Sequence, residues 1–141
     1  MEKEITVKIT VKGPLGEVWK KWTDPVHIVN WNHANEDWYC PSAQNDLQPG
    51  GEFHYMMAAR DGSVKFDFNG TYECIDPEKT IIYFIDDGRK VVVSFKQEED
   101  NVRIIETIEP EEVNSFEIQR SGWQLILDNF KKYSETELTS N

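Results

Sequence analysis

Near the start of the chain Ile5, Val7, Ile9 and Val11 alternate with Thr6, Lys8 and Thr10, the period-two pattern of a strand with one buried face. Gly13-Pro14 ends it. Leu15, Val18, Trp19 and Trp22 then recur at helical spacing, and Pro14 suits a first helical turn. Asp24-Pro25 introduces a second short helix that carries Ile28, Val29 and Trp31 toward the interior. From Asn32 to Pro49 the pattern lapses into Asn, Asp, Ser and Pro around Trp38, Tyr39 and Cys40, which predicts a long ordered loop.

Gly50-Gly51 opens a strand with Phe53, Tyr55 and Met57 on one face, and Asp61-Gly62 turns it into a second carrying Val64, Phe66, Phe68 and Tyr72. Gly70 within that strand predicts a bulge or a close approach that bends the sheet. After the turn Asp76-Pro77-Glu78-Lys79, strands are predicted at Thr80 to Ile85, Val91 to Phe95 and Val102 to Ile108, with Asp87-Gly88 as one of the hairpin turns. Finally Trp123, Ile126, Leu127 and Phe130 fall at i, i+3, i+4 and i+7, one stripe of a long helix from near Asn114 to near Tyr133, with Glu135 to Asn141 expected to fray.

The order predicts an α+β fold: one strand, two short helices, a five-stranded meander, and a long terminal helix covering the apolar face of a curved antiparallel six-stranded sheet. The 141 residues fit one domain that needs no disulfide or metal staple, and no repeat or linker divides them.

Composition narrows the function classes. A net charge of −11 without a basic patch argues against nucleic acid. No apolar span or basic, apolar leader follows Met1-Glu2-Lys3-Glu4, so a cytoplasmic protein without a membrane span is expected. Cys40 and Cys74 stand alone and read as reduced thiols. His27, His33 and His54 lack metal-ligand spacing, so neither a metal nor another cofactor is expected. No Gly-x-Ser-x-Gly elbow, phosphate loop or dinucleotide fingerprint is present.

Five Trp, five Tyr and seven Phe supply bulky apolar surface for either a thick core or a pocket. By strand parity Phe53, Tyr55, Met57, Phe66, Phe68 and Tyr72 share the interior side, facing Trp123 and Leu127 from the helix. They either fill the interior or leave it partly open. Trp31, His33 and Trp38 are placed at the mouth of such a pocket. Glu106 shares parity with Val102, Ile104 and Ile108, which turns its carboxyl inward and makes it the candidate general acid or base. The alternative is a structural carboxylate, hydrated or paired, with Arg89, Arg120 and Gln124 as conceivable partners.

Several short motifs occur together in a specific order: Val18-Trp19-x-x-Trp22-x-Asp24-Pro25, Trp31, Asp46-Leu47-x-Pro49-Gly50-Gly51-x-Phe53, Asp61-Gly62, Gly70-x-Tyr72 and Gly122-Trp123-x-x-x-Leu127. In these the chain resembles the START-like ligand-binding superfamily. Within it, the resemblance is to bacterial proteins similar to the C-terminal domain of the activator of the ninety-kilodalton heat-shock chaperone ATPase. The stretch from Trp31-Asn32 through Asp37-Trp38-x-Cys40-Pro41-Ser42-Ala43 to Asp87-Gly88-Arg89 looks like the mark of a subgroup. The resemblance implies a helix-grip fold with a central cavity and a superfamily that binds lipids, hormones or polyketide-like molecules, sometimes acting as cyclases or dehydratases. Three expectations follow: binding of a hydrophobic small molecule, a cyclase- or dehydratase-type activity using Glu106, or a role as a protein-interaction module with a chaperone-like partner.

Overall fold

The computed structural model describes residues 4–139. Met1 to Lys3, and the last two residues of the segment expected to fray, lie outside the described residues. β1 (Ile5–Lys12) is followed by α1 (Leu15–Thr23) and α2 (Pro25–Trp31). Then come β2 (Trp38–Asn45), β3 (Glu52–Ala59), β4 (Lys65–Asp76), β5 (Thr80–Ile85), β6 (Lys90–Glu98), β7 (Asn101–Ile108) and α3 (Phe116–Thr139). The strands form one antiparallel sheet in the order β1-β7-β6-β5-β4-β3-β2. Every neighbour from β2 to β7 is thus a sequential hairpin partner, while β1 returns to pair with β7 from Ile5 opposite Ile108 to Lys12 opposite Asn101.

Seven strands rather than six are present, because the segment predicted as a long loop contains β2. Trp38 to Asn45 has no clean alternation and includes Pro41, which lacks a backbone donor. Both features are tolerated at an edge with a bulge, and β2 is the edge: its pairing with β3 shifts between Tyr39 and Ser42, leaving Cys40 and Pro41 out of the regular ladder. The terminal helix also runs on through Thr139 instead of fraying from Glu135. Glu135 accepts from the Lys12 N–H at 3.0 Å and from Lys131 Nζ at 2.7 Å, which ties this turn to the end of β1.

Local signals set the helices and turns. Asp24 caps α2 by accepting the Val26 N–H at 3.0 Å, with Pro25 in the first turn. Gly88, at φ 95°, occupies a left-handed position in the β5–β6 turn that a side chain would strain.

The two halves of the sheet are built from different residues. Along β1, β7 and β6 the buried face is mostly aliphatic, with Ile5, Val7, Val11, Val91, Val93, Val102, Ile104 and Ile108, Phe95 of β6 and Glu106 of β7 being the exceptions. α3 lies along β1 and brings Leu127 and Phe130 onto this face. Phe130 meets the rings of Trp22 and Trp31 edge-on at 5.0 and 4.9 Å, joining α3 to both short helices. Along β3, β4 and β5 the inward residues are mainly rings, Phe53, Tyr55, Phe68, Tyr72 and Tyr83, beside Met57, Ile81 and Ile85. Branched aliphatic side chains interdigitate readily, whereas rings hold preferred stacking and edge geometries with gaps between them.

Candidate functional site

The gap in the aromatic half is a cavity of about 240 Å³. Nine aromatic residues line it: Trp22, Trp31, Phe53, Tyr55, Phe66, Phe68, Tyr72, Tyr83 and Trp123. Met57, Ile81 and Ile126 add aliphatic wall, and Thr23, Asn32 and Glu106 add polar groups. Phe53 is the hub. It stacks on Tyr55 at 4.7 Å and receives the edge of Tyr83 at 4.9 Å. Gly70, opposite Phe53 across the β3–β4 ladder, lets that ring lie flat on the strand: a Cβ there would be 2.5 Å from the Phe53 ring and 2.7 Å from the Phe84 carbonyl oxygen. The close approach expected of this glycine is therefore present, and a shift in the β4–β5 register between Tyr72 and Cys74 adds a nearby bulge.

A polar line crosses one wall. The Tyr72 hydroxyl donates to Asn45 Oδ1 at 2.5 Å, and Asn45 Nδ2 donates to the Thr23 carbonyl at 2.7 Å, tying β4, the edge strand β2 and α1 together. Tyr55 neighbours Tyr72, and burial holds the hydroxyls of Tyr55 and Tyr83 well above the usual phenol range. Burial pushes Tyr72 up to about 12. All three are neutral hydroxyls at physiological pH.

Glu106 projects from β7 between Val7 of β1 and Val93 of β6 and is only 3% exposed. Burial alone pushes its carboxyl up to about 8, and it has no hydrogen-bond or ion-pair partner among the described residues. The three partners the sequence offered are engaged elsewhere. Arg89 pairs with Asp87 at 2.8 Å and Arg120 with Glu117 at 3.4 Å, while Gln124 donates to the Lys8 carbonyl at 3.0 Å and to Asp128. Among the described residues no Lys, Arg or His lines the cavity, so Glu106 sits protonated at neutral pH in an apolar chamber.

The sequence placed twelve residues at the site, and the structure distributes them as follows. Trp31, Phe53, Tyr55, Met57, Phe66, Phe68, Tyr72, Glu106 and Trp123 reach the cavity wall. Phe66, 48% exposed, stands at the outer rim, and Trp123 meets Phe68 edge-on at 6.2 Å across the chamber. Leu127 does not reach it: one helical position past Ile126, it turns into the aliphatic core and is fully buried. His33 and Trp38 also stay outside the wall. Trp38 opens β2 and packs against Phe66 at 5.8 Å, whereas the His33 carbonyl accepts from Asn129 of α3. His33 Nδ1 is buried without a partner among the described residues, and burial lowers its pKa.

Sequence reasoning did not assign Trp22, Thr23, Asn32, Ile81, Tyr83 and Ile126 to this wall. For Ile126 the signal was available in its spacing of three from Trp123. For Tyr83 it was not, because Ile81-Ile82-Tyr83-Phe84-Ile85 is apolar throughout and its faces cannot be told apart by alternation. Thr23 ends α1 and Asn32 follows α2, helices whose direction only packing decides.

Among the described residues no helix is long and apolar enough to cross a membrane, and no cluster of side chains is arranged to hold a metal ion. Cys40 and Cys74 are free thiols, with burial pushing Cys40 up to about 11. No curated protein matches the sequence. Among solved structures, the AHSA1-like protein from Aeromonas hydrophila is 38% identical, superposes with a TM-score of 0.87, and covers 94% of this chain and 93% of its own. A Cytophaga hutchinsonii protein solved in solution is 46% identical with a TM-score of 0.82, over 98% of this chain and 96% of that one. A Nitrosomonas europaea protein shares the fold with a TM-score of 0.82 at 19% identity, over 96% of each chain. The family model described as Activator of Hsp90 ATPase homolog 1-like protein matches residues 12–135, so this chain, a helix-grip domain of START-like type, belongs to that family.

Proposed function

We propose that this protein binds an apolar or amphipathic small molecule, with a ring or short fused-ring portion, in the chamber between β3–β5 and α3. The observation that carries this reading is the chamber itself: about 240 Å³ walled by nine aromatic side chains, with few polar groups placed among them. An engineered apolar cavity of about 150 Å³ stays dry and accepts benzene, so a chamber of this size and lining suits a ring with a short substituent. Entry past Phe66 fits its place at the outer rim. Native mass spectrometry of the protein purified from its own host, with extraction of the adduct, tests the reading. One small molecule per chain is expected, held more weakly by Trp123→Ala than that variant's loss of stability explains. A bare chain that also takes up no apolar aromatic compound in solution overturns it.

The carboxyl of Glu106 favours a second reading, a cyclase- or dehydratase-type enzyme. A protonated acid with a pKa near 8 in an apolar chamber is poised to give and retake a proton close to neutral pH. Neighbouring Tyr83 would donate a hydrogen bond to an oxygen gaining charge. A folded Glu106→Gln variant is expected to lose turnover of any substrate identified from the adduct by at least about a hundredfold. Undiminished turnover removes Glu106 from that role.

A further inference from the structure

Resting on the small-molecule reading, we infer that the ligand is a lipophilic amine whose ammonium group lies against Glu106 while its apolar body fills the aromatic chamber. Three independent features of the site converge on this class. Glu106 is buried, aimed into the chamber and unpartnered among the described residues, so it is the one site in the wall able to carry negative charge near neutral pH. Among the described residues no Lys, Arg or His lines the chamber, so a ligand carboxylate or phosphate would enter without a counter-charge beside an acidic side chain. The remaining wall is dominated by aromatic side chains, whose rings attract a cation through the quadrupole of their faces. A buried acid facing an aromatic box is thus complementary to a cation with an apolar body.

The groups that face Glu106 determine how binding depends on pH. β1 and β6 flank it with Val7 and Val93. β5 contributes Tyr83, whose ionisation Glu106 opposes, and β4 and β3 contribute Tyr72 and Tyr55 further along the wall. α3 presents Trp123 and Ile126, and the α1 and α2 ends present Trp22, Thr23 and Asn32. Arg89 acts electrostatically on Tyr83 and is paired with Asp87. None of the wall groups other than Glu106 changes charge between pH 5 and its value of about 8. An ammonium entering at neutral pH therefore drives the Glu106 proton off its carboxyl and into solvent, leaving an ammonium–carboxylate pair. Charge and protons balance with one proton released per ligand bound.

Isothermal titration calorimetry with three isosteric probes, phenylpropylamine, phenylpropanol and phenylpropanoate, in two buffers of different ionisation enthalpy, tests the inference. At a pH about one unit below the Glu106 value, the amine is expected to bind at least about tenfold more tightly than the alcohol, and the acid more weakly than either. Amine binding should release close to one proton and tighten as the pH rises toward 8. In Glu106→Gln the amine should lose its advantage over the alcohol, with proton release abolished. An amine no tighter than the alcohol, or one bound by the unmodified protein without proton release, overturns the amine assignment and leaves the apolar chamber standing. If none of the three binds, the small-molecule reading falls as well.

Discussion

At the scale of single residues, Glu106 illustrates how strand parity and burial act together. Its inward direction is legible because Val102, Ile104 and Ile108 share its face, and β7 places it between two valines. Its lack of a partner is not legible, since Arg89, Arg120 and Gln124 are drawn to neighbours two to four residues away or to a backbone carbonyl. The folded carboxyl holds its proton up to about 8, against 4.5 for a free one. The native state therefore binds more protons than the unfolded chain between those limits, and stability falls across that window by up to about 1.4 kcal/mol per pH unit. Below the lower limit both states are protonated and the effect vanishes. Glu106→Gln should accordingly match the parent protein near pH 4.5 and become progressively more stable than it toward pH 8, seen as a widening difference in Tm. A difference that stays constant with pH would mean the carboxyl ionises in the folded protein as it does in water.

At the scale of elements, the sheet's bend depends on Gly70. A glycine inside a strand signals a close approach, and here the neighbours that need the space are the Phe53 ring and the Phe84 carbonyl. Gly70→Ala should cost about 2–3 kcal/mol by overpacking, measured by denaturant unfolding, because neither a central ring nor a ladder carbonyl can withdraw cheaply. Pairing Gly70→Ala with Phe53→Leu should recover part of that loss. The elements themselves were read unequally. β1, α1, α2 and the strands after Gly50 are carried by clear periodicity and turn residues, and all are present. β2 was hidden because an edge strand needs only one set of ladder partners and tolerates Pro41 at a bulge, so its composition looks like a loop. The last turns of α3 were hidden because the anchor that ties them down, the Lys12 N–H donated to Glu135, joins sequence positions far apart.

At the scale of the whole molecule, charge opposes compaction. The chain carries 26 acidic against 15 basic residues, and the ion pairs present are few and on the surface. Raising NaCl from about 10 to about 150 mM near pH 8 should therefore raise Tm, since shortening the screening length weakens self-repulsion more than it weakens surface pairs. An unchanged or lower Tm would place more of the stability in those pairs than their exposure allows. The sequence by itself determined the class of fold, the order of its elements, the direction of most strand faces and the excess of rings, because these rest on local periodicity, turn chemistry and composition. Only the tertiary structure decided that the rings of β3 to β5 leave a chamber instead of filling it, that Tyr83, Ile126 and the α1 end join its wall while Leu127, His33 and Trp38 do not, and that Glu106 has no hydrogen-bond or ion-pair partner among the described residues. Whether a side chain fills space or borders it is settled by the shapes of residues brought together from distant parts of the chain, and no local pattern records that sum.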